Sequence, residues 1–122
     1  MTKKLLSIVE IGGYPDFGSL YESLGYKVDR EFNMRKTLRR LKKYVPDVVV
    51  AEFNFQSDFR DRTSSLESLM SLVIRHPETK TIIFYDKEFR GQLARLQERY
   101  TFDCVMPFPI DELQLKTALD RL

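Results

Sequence analysis

At 122 residues, 43% hydrophobic and 31% charged, the chain has the size and composition of one globular domain, 1–122, with no room for a second. A formal net charge of +2 selects no partner class, one cysteine excludes an internal disulfide, and no apolar stretch approaches the ~20 residues a membrane-spanning helix needs. Lys3-Lys4 precedes only a short apolar run broken by Glu10, which is not the pattern of a secretory leader, so a reducing, cytoplasmic compartment is the expectation.

Strand-like and helix-like segments alternate five times. Leu5–Val9 is a short apolar strand. Gly12-Gly13 turns the chain, Pro15 suits a first helical turn, and Phe17, Leu20, Tyr21 and Leu24 recur at helical spacing before Gly25 stops the helix. Tyr26–Val28 reads as a short edge strand. Asn33 is placed to cap a second helix, with Met34, Leu38, Leu41 and Val45 on its buried side. Pro46 ends it, and Val48–Phe53 is the third strand. Asn54–Thr63 is an aromatic, charged loop. Ser64-Ser65-Leu66-Glu67 is a capping-box pattern opening a helix with Leu66, Leu69, Met70, Val73 and Ile74 inside. Thr81–Tyr85 is the fourth strand. Asp86 is placed to cap a helix carrying Phe89, Leu93, Leu96 and Tyr100. Phe102–Met106 is the fifth strand, and Asp111 opens a last helix with Leu115, Ala118, Leu119 and Leu122 inward.

Five such βα units predict an α/β fold: a doubly wound, five-stranded parallel sheet, flavodoxin-like, in the order 2-1-3-4-5. Ligands of open α/β sheets bind beyond the carboxyl ends of the strands, where the order reverses between strands one and three. The run Pro46-Asp47-Val48-Val49-Val50-Ala51-Glu52 is apolar and β-branched, and it closes on one acid. Glu52 is therefore predicted at the working edge. Glu10, ending strand one, would face it across the crevice, and two such carboxylates at close range would share a proton.

Four local patterns carry a family resemblance. They are Ile8-Val9-Glu10, Pro46–Glu52, Met106-Pro107-Phe108 with Leu113 following, and the helix exit Leu24-Gly25-Tyr26-Lys27-Val28. With the length and element order, they make the whole chain resemble the receiver domains of response regulators. The resemblance implies a Mg²⁺ site built from an acidic pair and an acceptor aspartate, a Thr or Ser ending strand four, and a Lys before a cis proline. On this chain the acceptor position is Glu52. The acidic pair is Glu10 and Ile11, the hydroxyl position is Tyr85 with Asp86 after it, and the lysine position is Met106, ahead of a Met106–Pro107 bond that would be cis. Only Glu10 keeps the family's chemistry. Mg²⁺ asks for several oxygens in octahedral geometry, and phosphoryl transfer depends on positive charge around the moving group. The resemblance therefore implies a degenerate pseudo-receiver with no metal, no cofactor and no enzymatic activity, acting in two-component-type signal transduction through protein–protein contacts. Glu52 is then either a constitutive mimic of an acidic switched-on state or a relic tied up by a backbone amide or by Tyr85.

Other features hold partner surfaces. The loop carries Phe55, Phe59, Arg60 and Arg62, which either fold back or form a docking surface. Tyr100 and Phe108 mark the helix-4/strand-5/helix-5 face, through which receivers pair, so a homodimer is one expectation. Arg35, Lys36, Arg39, Arg40, Lys42 and Lys43 wrap helix two, as a solvated face or as a footprint for an acidic protein or nucleic acid. Nucleic acid is not the expected partner, because no aromatic residue is interleaved there. Two alternatives stay open: a receiver phosphorylated on another acid, Asp58 or Asp86, and a nucleotide- or nucleic-acid-binding domain using Gly12-Gly13 and the basic helix. The Gly13–Leu20 loop has the glycine spacing of a P-loop without its Lys and Ser/Thr. His76 has no second ligand at metal spacing, Cys104 is predicted inside a strand and inert, and no nucleophile, base and oxyanion donor gather as a hydrolase requires.

Overall fold

In the computed structural model, residues 3–9, 16–53 and 65–122 are described. The elements run β1 (Lys3–Ile8), α1 (Gly18–Ser23), β2 (Tyr26–Glu31), α2 (Met34–Leu41), β3 (Val48–Phe53), α3 (Ser65–Val73), β4 (Lys80–Tyr85), a 3-10 turn (Lys87–Phe89) leading into α4 (Arg90–Gln97), β5 (Cys104–Pro107) and α5 (Glu112–Arg121). All four ladders are parallel and the sheet order is β2-β1-β3-β4-β5, the predicted one.

Strand alternation sorts the core into two layers. Leu6, Ile8, Val49, Ala51, Phe53, Ile83 and Tyr85 meet α2, α3 and α4 through Leu41, Leu69, Met70, Leu93 and Leu96. Leu5, Val48, Val50, Ile82, Phe84 and Met106 meet α1 and α5 through Tyr21, Leu115 and Leu119. Every residue of β3 is buried, as its unbroken apolar run requires of a central strand covered on both faces. Three helical starts follow local chemistry. Asn33 accepts the Lys36 N–H (3.1 Å), Asp86 the Glu88 N–H (2.9 Å), and Asp111 the Leu113 and Gln114 N–H groups (2.9 and 3.3 Å). Gly25, past the end of α1, has φ +92°, a backbone that side chains disfavour.

Several sequence expectations are corrected. β2 does not stop at Val28 but pairs with β1 through Glu31. As an edge strand its second half is charged and only half-buried, so it carries no apolar signal. Val45 and Ile74 were expected inside, yet are 46% and 63% exposed. Both lie beyond the last helical residue, Leu41 and Val73, where helical periodicity no longer aims them. β5 begins at Cys104, two residues later than expected, because the Asp103 carboxylate is engaged by Thr81, accepting its backbone N–H (2.8 Å) and its hydroxyl (3.3 Å). Ser64, the start of the capping-box pattern, lies outside the described residues.

Candidate functional site at the carboxyl edge of the sheet

The order reversal places the carboxyl ends of β1 and β3 side by side, with Ile8 opposite Ala51. Glu52 follows, 4% exposed, and its ladder partner on β4 is Phe84. A cavity of about 160 Å³ opens there, lined by Ile8, Val9, Val50 and Glu52 from the strands and by Asp16, Phe17 and Tyr21 from α1 and the residues before it, with Arg30 and Phe32 from the end of β2. Phe17 meets the Phe84 ring edge-on, centroids 6.1 Å apart. Asp16 accepts the Gly18 N–H (2.9 Å) and pairs with Arg30 (3.3 Å). A Cβ on Gly18 would collide with the Arg30 guanidinium, so the glycine makes room for that pair. Tyr21 is 2% exposed, and its phenol is held well above the usual tyrosine range by burial first and then by the Asp16 charge, with Arg30 opposing. It stays a neutral phenol under any ordinary condition.

The sequence reading missed Asp16, Phe17, Tyr21, Arg30 and Phe32 as site residues. Arg30 was hidden because β2 was expected to end before it. Tyr21 was read only as core. Of the predicted site residues, Glu10 and Ile11 lie outside the described residues, as do Gly12-Gly13, Asp58 and the loop's Phe55, Phe59, Arg60 and Arg62.

The remaining positions can be placed. Tyr85 is buried among the α3 and α4 side chains, on the sheet face opposite to Glu52. The reading in which Tyr85 ties up Glu52 is thereby corrected: strand alternation gives Glu52 the Phe84 ring as its neighbour. Asp86 is exposed and its carboxylate caps the 3-10 turn. Met106 is 7% exposed, packed in the α1/α5 layer opposite Phe84. The cis bond is Phe108–Pro109, not Met106–Pro107. Pro107 still belongs to the β5 ladder, opposite Tyr85, and the chain turns only after it. Leu115 and Leu119 of α5 are buried, as expected, while Leu113 is 72% exposed. Tyr100 is half-buried against the α4 core beneath the Arg99 guanidinium (5.6 Å), while Phe108 is 41% exposed and its N–H donates to the Tyr85 carbonyl (2.8 Å). Cys104 belongs to a strand, as expected, opening β5, but it is half-buried, and burial pushes its thiol up, aided by Asp103.

Among the described residues no group of three or more His, Cys, Asp or Glu side chains is placed to hold a metal ion. Asp16 is committed to Arg30 and Gly18, and Glu52 is bordered by Val50 and Phe84. A hard ion wanting several oxygens does not fit the described residues.

The basic helix differs in detail from its sequence reading. Thr37 is fully buried, its hydroxyl donating to the Asn33 carbonyl (2.9 Å), and Leu38 is only half-buried. Arg40 is drawn into the fold by Asp29 (3.7 Å) and Glu31 (3.6 Å) and lies over Tyr44, whose hydroxyl donates to Asp29 (3.1 Å). Arg35, Lys36, Arg39, Lys42 and Lys43 are exposed, and among the described residues none of them forms an ion pair.

No protein-family model matches the chain, and a search of curated proteins finds no match. Solved structures do match. A response regulator receiver domain of Methanospirillum hungatei superposes with a TM-score of 0.79 at 13% identity, covering 99% of this chain and 93% of that one. The beryllofluoride-activated receiver domain of DrrB gives 0.75 at 17% identity, over 99% and 97%. A receiver domain protein of Clostridium thermocellum gives 0.74 at 19% identity, over 98% and 92%. This chain has the receiver fold. Glu52 is therefore the penultimate residue of the third strand of a receiver-type sheet, and no helix among the described residues is long and apolar enough to cross a membrane.

Proposed function

We propose that this chain is a pseudo-receiver: a non-enzymatic, cytoplasmic signalling domain that binds a protein partner without being phosphorylated. The observation that carries the reading is the setting of Glu52. A phosphoacceptor must meet its donor in line and must have positive charge and a hydroxyl beside it. Glu52 is 4% exposed, and the strands beyond it contribute Phe84 and Met106 to its side of the sheet. Asp86, the described rival acceptor, already serves as an N-cap. Burial also favours the relic reading of Glu52 over the mimic. A carboxylate carries less charge and fewer oxygens than a phosphoryl group, and this one is almost wholly buried.

Partner binding in this reading uses the α4–β5–α5 face, where Phe108 and Leu113 are 41% and 72% exposed, and a homodimer through that face is one form of it. The test is incubation with Mg²⁺ and a small-molecule phosphodonor, followed by intact mass. The expected result is an unchanged mass. A gain of one phosphoryl group, lost on hydroxylamine treatment, would identify an acyl phosphate and overturn the reading.

A further inference from the structure

We infer that the outer face of α2 is a docking surface for an acidic, amphipathic protein segment. This goes beyond the phosphorylation reading and stands without it. The first observation is the unpaired charge: Arg35, Lys36, Arg39, Lys42 and Lys43 are exposed along one helix, and no described acid neutralises them. Arg40 shows the contrast, since it is held by Asp29 and Glu31 and belongs to the fold.

The second observation concerns where two of these cations sit. With Asn33 as N-cap, Arg35 and Lys36 occupy the first turn, which contains no acid. The helix macrodipole is positive at that end, so both charges oppose the fold that carries them. Lys42 and Lys43 lie at the favourable end, and helix stability alone accounts for them. Arg35 and Lys36 have no such account, and an anionic partner supplies one.

The third observation selects the class of partner. Phe32, 66% exposed, immediately precedes the helix cap, and Val45, 46% exposed, follows the helix. An apolar residue at each end of an eight-residue cationic helix, about 12 Å long, matches a protein segment with its own apolar anchors and acids at i, i+4 spacing. A nucleic-acid backbone matches less well. Tyr44, which lines a groove with Lys36, Arg39 and Lys43, is held by Asp29 and covered by Lys4 and Arg40, so it is not free to stack on a base.

The experiment uses the full chain and three probes at matched ionic strength: a fluorescein-labelled helical peptide with Glu pairs four residues apart between leucines, a DNA duplex, and phosphatidylglycerol vesicles. Saturable binding of the peptide, tighter than that of duplex or vesicles, is expected. Replacing the peptide's Glu by Gln abolishes it. The triple variant Arg35→Gln, Lys36→Gln, Arg39→Gln weakens it by roughly tenfold or more, while its thermal melting confirms folding. Phe32→Ser weakens binding without changing the salt dependence, which separates the apolar anchor from the charge. Failure of the peptide to saturate, an unchanged affinity in a folded triple variant, or tighter binding to duplex or vesicles would each overturn the inference.

Discussion

Lys36→Glu on α2 converts the electrostatic argument into a stability measurement. Lys36 is the third residue after the Asn33 cap, and the Asn33 side chain already accepts its backbone N–H at 3.1 Å. A glutamate there removes a cation from the positive end of the helix and adds an anion, each change contributing about 0.3–1 kcal/mol. Its carboxylate also reaches back to the Asn33 N–H and completes a capping box. Lys36 is exposed and unpaired, so no contact is lost in exchange. The net expectation is a gain of about 1 kcal/mol at low salt, or roughly 4 °C in Tm for a domain of this size. Urea denaturation should show the midpoint rising with an unchanged slope, and the gain should shrink near ~1 M salt as the Debye length contracts. The same variant should lose affinity for the acidic peptide. A folded variant that is less stable than the parent at low salt would refute the claim that this cation opposes its own helix.

Three further outcomes test the fold and its electrostatics. Leu115→Ala should lower stability by about 2–5 kcal/mol and Leu113→Ala by under ~0.5 kcal/mol, measured by denaturant melts; the reverse order would contradict the face that α5 buries. Asp103→Ala removes the acceptor of the buried Thr81 N–H and should cost about 1–3 kcal/mol, with Asp103→Asn recovering part of it. The Tyr44 phenol is pushed up to about 12 by burial, by its hydrogen bond to Asp29 and by the Asp29 charge. The folded chain therefore holds that proton above the pH where the unfolded chain releases it. The Tyr44 contribution is full below about pH 10 and is lost as pH rises towards 12. Tyr44→Phe should flatten that alkaline loss in a stability–pH series.

Some of this molecule was legible in its sequence for reasons that are local. The Val48–Phe53 run is apolar at every position up to its acid, which only a two-sided central strand explains, and Glu52 lies one residue before the strand's end. Asn33, Asp86 and Asp111 announced helical starts because a cap is made within three residues of itself. The rest depends on tertiary partners. Asp16 and Arg30 lie fourteen residues apart, and nothing in either neighbourhood signals their pairing. The charged half of β2 becomes a strand only because β1 offers it a ladder. Met106-Pro107-Phe108-Pro109 contains two equivalent X-Pro steps, so the position of the turn within it is decided by where β5 stops pairing with β4, not by the tetrapeptide. Tyr85, one of the two partners the relic reading offered Glu52, falls on the other face because successive strand residues point to opposite sides of the sheet.

The most direct test of the central claim is an amide-shift NMR titration of the intact chain, first with Mg²⁺ and then with beryllofluoride, following Glu52, Phe84 and Met106. On this account those amides stay in place through both additions. Shifts at millimolar Mg²⁺ that move again with beryllofluoride would contradict it and make this chain a working phosphoryl switch with unusual ligands.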